Sequence, residues 1–356
     1  LEAMIKGYTF INLLLRGLSE FKYPQNYFLR NIKEILFSNY IFSLDANTKK
    51  INLLYDLNFE SPTFDLAYSL FIIDKYSKKN NLTFRVIIIK RKRKDYKSWY
   101  PISVSQLNKR INAMLVPISN SFYNCYETIV LDDIKDIIIY EKESFFSYNL
   151  SKRIVPFLYN DLHEYVLKSS EYDGIKLKKS LIEKIKKNIS VLNHPLNTNK
   201  IISITLRSYF YEVERDSDIE FWLKVANYYK KLSYHIFIIP DTDNINDRKH
   251  REKFCEYKFL DECAKIMDSR MAIYEIAKLN FFPHSGTAAA AQINKNAASI
   301  THFRTHNHMY NLSDKFFTEI GSPPGKNYKF FTKNHLIYWN GNLDGLIKEA
   351  NKLLEI

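Results

Sequence analysis

The sequence predicts an α/β protein of two domains preceded by a helical extension. Short β-branched runs alternate with stretches of helical period along most of the chain, the order that builds parallel sheets covered by helices. That alternation occurs twice, on either side of a polar, proline-containing stretch at 193–199 that reads as a linker. A length of 356 residues accommodates two such domains, and 46% hydrophobic with 26% charged residues is the balance of a folded chain.

Residues 1–50 read as one or two helices with irregular chain. Within them, 8–15 are apolar but short of the ~18 residues that span a bilayer, so a helix on the core or at an interface is expected. The first strand is 51–57, followed by a turn in which Ser61 is a candidate N-cap and Pro62 the first helical residue. Phe64, Leu66, Ala67, Leu70, Phe71 and Ile73 supply the apolar face of a helix running to about residue 79. The β-branched run 84–89 predicts a parallel strand covered on both faces. A helix over 103–113, strands at 114–117, 128–131 and 136–140, and an amphipathic, lysine-rich helix over 176–192 complete this half. The second half reads as a strand at 200–206, a helix at 218–231 and a strand at 234–240. Helices near 250–266 and 270–279, a strand at 279–282, an alanine-rich helix, a strand at 300–303 and a helix at 342–355 follow. The expected divisions are an extension at 1–50, Rossmann-like domains at 51–193 and 200–341 facing each other across a cleft, and a C-terminal helix at 342–356.

A net charge of +13 admits nucleic acid, an anionic membrane surface or a phosphorylated substrate as partner. The heavy use of Ile, Lys and Asn lowers the weight of any one lysine run, including the basic stretch at 90–94. That stretch has no interleaved aromatics, zinc spacing or helix-turn-helix signal beside it, so nucleic acid is disfavoured; peripheral contact with an anionic membrane stays open. Three cysteines without a paired CxxC support neither a disulfide framework nor a zinc site, and a reducing, cytoplasmic setting is expected.

The densest cluster of small residues in a chain with only 8 glycines is the turn His284, Ser285, Gly286 and Thr287 with Ala288–Ala291 behind it. A small-residue turn that opens a helix presents backbone N–H groups to an anion, and it is equally the shape of a tightly packed strand-to-helix corner. In open α/β sheets ligands bind at the C-terminal edge of the strands. Arg207 and Arg215 follow the strand at 200–206, and guanidinium forks suit diphosphates. Asp241 and Asp243 follow the strand at 234–240, where they suit sugar hydroxyls, a cation, Arg207 or a capped turn. Glu275 is a candidate for ribose hydroxyls or a helix-surface charge, and His284 a candidate acid or cation. His302, His306 and His308 lie near Arg304 without a third metal ligand at suitable spacing, so no metal site is expected. In the first half, Glu60 and Asp65 follow the first strand and are candidates for a general base acting on a hydroxyl, or for acids placed at a helix N-terminus by its dipole.

Thr205-Leu-Arg207, the run Ile238 to Asp243, the pattern Arg270, Tyr274, Glu275, Ala277, Asn280, and the turn at 284–287 together resemble the nucleotide-binding half of GT-B glycosyltransferases. Bacterial heptosyltransferases and fucosyltransferase-like enzymes are nearest in pattern. A group of bacterial glycosyltransferase-like proteins has counterparts of Tyr55 to Phe59 and Thr63 to Asp65. The resemblance implies inverting, metal-independent transfer of a sugar from a nucleotide-diphosphate donor to a glycan, lipid-linked or protein acceptor, in surface-polysaccharide or glycoconjugate assembly. The donor is a substrate, and no cofactor is implied. It implies Arg207 and the N–H groups of 285–287 on the diphosphate, with Glu275 near the nucleoside. This chain departs from the pattern at His284, where heptosyltransferase-like enzymes often carry an acid, and in lacking a glycine-rich loop in its first half. A nucleotide-sugar epimerase or hydrolase of the same plan, and a non-catalytic basic binding protein, are the alternatives.

Overall fold

The computed structural model describes residues 49–57, 60, 62–90, 102–140, 174–190, 200–209, 212–319 and 322–356. The expected extension as far as residue 48, the Ser61 cap, the basic residues 91–94 and the linker at 193–199 lie outside them. The chain forms two compact units, each assembled from separate segments. The first draws on Leu1–Ser61, Tyr76–Pro101 and Asn124–Leu158, the second on Pro62–Lys75, Ile102–Tyr123 and Tyr159–Ile356.

The first unit holds a parallel sheet of β1 (Lys50–Asp56), β2 (Thr83–Ile89) and β3 (Cys125–Leu131), in that order. Helix α1 (Leu66–Asn80) joins β1 to β2, starting a turn later than Pro62 because Thr63, Phe64 and Asp65 form a hydrogen-bonded turn of their own. The strand expected at 136–140 is instead part of a 3-10 helix, Ile134–Tyr140. Asp133 and Asp136 close a local turn through backbone and carboxylate hydrogen bonds, both 3.1 Å. That turn starts the helix and leaves Ile137 on the sheet and Ile139 69% exposed.

In the second unit, α2 (Val104–Arg110) begins with a reciprocal capping box between Ser103 and Gln106. It runs through one π-helical turn, Ile111–Leu115, into α3 (Val116–Ser121). The strand expected at 114–117 is therefore helical, and Pro117 falls where the π-helical turn passes into α3. Helix α4 (Lys179–Ser190) packs in the same unit.

The main sheet comprises β4 (Ile201–Thr205), β5 (His235–Ile239), β6 (Lys258–Phe259), β7 (Leu279–Pro283), β8 (Ser299–Phe303) and β9 (His335–Trp339). All pairings are parallel and the spatial order is β6-β5-β4-β7-β8-β9, so the winding reverses between β4 and β7. The helices are α5 (Ile219–Lys231), α6 (Arg248–Lys253), α7 (Asp261–Lys265), α8 (Met267–Ile276), α9 (Thr287–Gln292), α10 (Asp314–Glu319) and α11 (Leu343–Leu354). The single helix expected near 250–266 is broken into α6, the two-residue strand β6 and α7, because the chain adds an edge strand to β5 and returns Leu260 N–H to Ile238 O at 2.8 Å. Strand β9, also unforeseen, is a half-buried edge of five residues, too short for a period to show.

Helices α5 and α11 cover one face of this sheet. Trp222 and Tyr229 meet Phe281 and Ile300 in a core that also takes in Leu346 and Ala350. Asn280 binds the two halves of the sheet together at the reversal. It accepts from Ser203 Oγ of β4 at 2.6 Å and donates to Tyr274 O and Ala298 O at 2.8 and 2.9 Å. Asn280→Ala is expected to destabilise the fold by about 2–4 kcal/mol, since Tyr274 O loses its side-chain donor and the buried Ser203 hydroxyl its acceptor, while Ala298 O keeps the backbone N–H of residue 280. Urea denaturation measures this, and a loss below about 1 kcal/mol would contradict it.

Candidate functional site

The reversal between β4 and β7 opens a crevice at the C-terminal edge of the sheet, and the loops after β4, β5, β7 and β8 all begin there. The loop after β4 is closed on itself: Arg207 N–H donates to Ser217 Oγ at 2.8 Å and Ser217 N–H to Arg207 O at 3.0 Å. Arg207 lies inside this closure, pairing with Asp216 and donating to Glu212 O at 2.8 Å. Burial, and then the neighbouring Arg215, lower its pKa; burial raises that of Asp216. Glu212 has a left-handed backbone, φ 53°, which non-glycine residues avoid unless held there. Its carbonyl is held by Arg207 and its carboxylate by Arg215.

Arg215 also donates from Nε to the carbonyl of His284 at 2.9 Å, joining the β4 loop to the turn after β7. In that turn the Ser285 and Thr287 hydroxyls are 2.7 Å apart, and the His284 ring stacks on Phe303 at 3.8 Å. Gly286 precedes α9, and the N–H groups of Ala288 and Ala289 donate back to Ser285 O and Gly286 O at 3.2 and 3.1 Å. A Cβ on Gly286 would stand 3.3 Å from Cβ of Phe64, so glycine permits this close approach. Beneath the turn, the fully buried Tyr274 hydroxyl is 3.0 Å from Thr205 Oγ1 at the end of β4.

After β5, Asp243 N–H donates to Asp241 Oδ1 at 2.8 Å, and burial raises the pKa of Asp241. Asp243 pairs with Arg110 from the end of α2. Behind Asp241, Arg270 is 0% exposed and donates to Cys263 O at 2.6 Å and Pro240 O at 3.0 Å, bracing the end of β5. After β8, Arg304 donates to Asp218 Oδ2 at 3.1 Å and lies over the Phe221 ring. A small pocket opens among these groups, lined by Arg215, Asp216, Asp218, His284, His302 and Arg304 with Trp222 and Pro283.

Arg207, Arg215, Asp241, Asp243, His284, Ser285, Gly286 and Thr287 thus come together on one edge. Arg207 binds its own loop, and Arg215 and Arg304 line the pocket. Asp65 belongs to the same unit, on the segment whose Phe64 meets Gly286. It accepts from the Thr63 hydroxyl at 2.5 Å. Glu60 is buried at the end of β1 in the first unit, its N–H bonded to Asp56 O at 2.8 Å. Glu275 stands apart: it is at the end of α8, which leads into the N-terminal edge of β7, and accepts from Asn294 and Asn296 at 3.1 and 2.9 Å. Sequence reasoning missed Arg110 and Asp216, whose partners lie across turns or in the other half of the sequence. Among the described residues no three His, Cys, Asp or Glu side chains gather as metal ligands, and no helix is long and apolar enough to cross a membrane.

The chain aligns with the crystal structure of a glycosyl transferase family 9 protein from Veillonella parvula, with a TM-score of 0.54 at 11% identity, over 88% of this chain and 99% of that one. The fold is of the GT-B glycosyltransferase type. E. coli heptosyltransferase WaaC with ADP aligns at a TM-score of 0.44 and 9% identity, over 85% of this chain and all of that one. POFUT1 in complex with GDP aligns at 0.34 and 9%, over 72% and 99%. No family model and no curated protein matches the sequence. The GT-B-type C-terminal sheet is the one whose reversal carries the crevice just described.

Proposed function

We propose that this chain is a glycosyltransferase that moves a sugar from a nucleotide-diphosphate donor to a hydroxyl acceptor. One observation carries the reading: in a GT-B-type fold, two arginines, Arg215 and Arg304, line one pocket with His284, the residue that opens the turn at 284–287, at the switch-point edge of a doubly wound sheet. Cleaving a sugar–diphosphate bond builds negative charge on the leaving group. Guanidinium groups and backbone N–H groups fixed beside that charge stabilise the transition state more than the ground state. Arg215 and the N–H groups of 285–287 are assigned to the diphosphate. Arg207 orders the loop that presents Arg215, and Asp241 and Asp243 face the donor from the β5 end. Because the cations come from the chain itself, the transfer is proposed as metal-independent.

Asp65 is assigned as the base that takes the acceptor proton, with Glu60 the alternative acid; attack opposite the leaving diphosphate inverts the anomeric centre. The acceptor is proposed to be a glycan, lipid-linked or protein hydroxyl in surface-polysaccharide or glycoconjugate synthesis. The reaction is placed in the cytoplasm, with a peripheral contact at the cytoplasmic face of an anionic membrane.

The test begins with a thermal-shift panel of nucleoside diphosphates, in which at least one should raise the melting temperature. With a matching nucleotide sugar, nucleoside diphosphate should then be released only when acceptor is present, and equally with EDTA. Release without acceptor would indicate hydrolysis, and no binding by any nucleotide would sink the proposal.

A further inference from the structure

Arg110 joins three separate segments of the second unit. It ends α2, is only 7% exposed, and its guanidinium reaches two acceptors far apart in sequence. Nη1 donates to the carbonyl of Pro62 at 3.1 Å, and Nη2 pairs with the carboxylate of Asp243 beyond β5. The Tyr209 ring lies near both Arg110 and Arg207, with centroid distances of 5.9 and 5.7 Å, tying the same guanidinium to the loop after β4.

Pro62 starts the short turn that carries Asp65. Within it Thr63 Oγ1 donates to Asp65 Oδ2 at 2.5 Å, and Asp65 N–H returns to Thr63 Oγ1 at 3.3 Å, so the carboxylate is fixed relative to the chain just after Pro62. Phe64, between them, packs against Gly286. A continuous line of contacts thus runs from Asp243 at the sheet edge through Arg110 to Pro62 and Asp65, and returns through Phe64 to the turn at 284–287. The planar fork of arginine bonds two acceptors in a fixed relation, which a lysine ammonium does not reproduce.

We propose that Arg110 is a positioning residue for glycosyl transfer, holding the Pro62–Asp65 turn in register with the sheet edge that receives the donor. The proposal rests on the assignment of that edge and of Asp65 under the proposed function. Arg110 itself touches neither sugar nor phosphate. Its effect is on the distance between base and reacting carbon, where a displacement of about 1 Å is enough to slow a reaction about 100-fold.

The experiment compares wild type with Arg110→Lys, measuring kcat, donor KM, the Kd of the nucleoside diphosphate and the melting temperature. The substitution keeps the charge near Asp243 and loses the fork. The expected result is a kcat lower by about 10- to 100-fold, with donor KM and nucleotide Kd within about threefold of wild type, because the charge beside Asp243 is kept and Arg215 and the turn at 284–287 are unaltered. A general loss of structure would instead weaken nucleotide binding and kcat together. Should Arg110→Lys fail to fold, Arg110→Gln, which retains a donor for Pro62 O without charge, is read by the same split. A kcat within about twofold of wild type, or a loss confined to nucleotide affinity, overturns the role of Arg110 while leaving the transferase reading intact. Failure of the wild-type chain to release nucleoside diphosphate overturns that reading itself.

Discussion

Acidification from pH 6.5 to 4 is expected to destabilise the protein by about 3 kcal/mol for each of two buried histidines, His302 and His335. They are 4% and 2% exposed. Burial lowers the pKa of His302 to about 4, with the charge of Arg304 acting in the same direction, and burial lowers His335 likewise to about 4. His302 Nε2 lies 3.1 Å from Gly341 O, which suits a neutral ring protonated on that nitrogen, and His335 Nδ1 lies 2.9 Å from Ser299 Oγ. In the unfolded chain both titrate near 6.5. Above that value both states are neutral and these groups impose no pH dependence. Between 6.5 and 4 the unfolded chain takes up protons that the folded chain refuses, so stability falls as pH falls through this window. Urea denaturation at pH 7, 6, 5 and 4.5 should give a declining free energy of unfolding, and a His302→Gln, His335→Gln double variant should flatten the decline. A wild-type stability that stays level from pH 6.5 to 5 would refute the prediction.

Arg215→Ala is expected to lower kcat of sugar transfer by about 100- to 1000-fold. Arg215 is the one side chain that lines the pocket, binds the carbonyl of His284 and holds the carboxylate of the left-handed Glu212. Its removal takes a cation from the proposed diphosphate site and leaves the β4 loop without its link to the turn after β7. Arg215→Lys should recover part of the rate, since the charge returns without the fork. Nucleoside-diphosphate release under saturating donor and acceptor measures both variants. A rate for Arg215→Ala within threefold of wild type would remove Arg215 from the chemistry.

The β-branched runs at 84–89, 200–206 and 234–240 were legible as parallel strands because a strand covered on both faces must be apolar at successive positions. The alanine-rich helix and its turn were legible for a similar reason: Ala288–Ala291 are all buried, and only small residues fit so close to the sheet. The runs at 114–117 and 136–140 were misread as strands since a short apolar run serves a buried helix equally well. Local side-chain bonds, such as Asp133 with Asp136, decided between the two.

The arginines and acids after β4 and β5 could be assigned to one edge of the sheet because the alternation of strand and helix puts every loop that follows a parallel strand on the same edge. Which of them face a pocket was not legible. Arg207, the cation that the family resemblance implies on the diphosphate, is held inside the loop by Asp216 and the carbonyl of Glu212. Glu275, near the turn in sequence, is carried by α8 to the opposite edge of the sheet, because a helix returning to the next strand ends where that strand begins. The α/β class, the alternation and the small-residue turn are readable from residue order, since periodicity and residue size are local properties. Tertiary structure alone decided the strand order that reverses between β4 and β7, and the reach of Arg110 from α2 to Pro62 and Asp243. Contacts between segments far apart in sequence leave no periodic trace in either one, and their geometry exists only once both have packed.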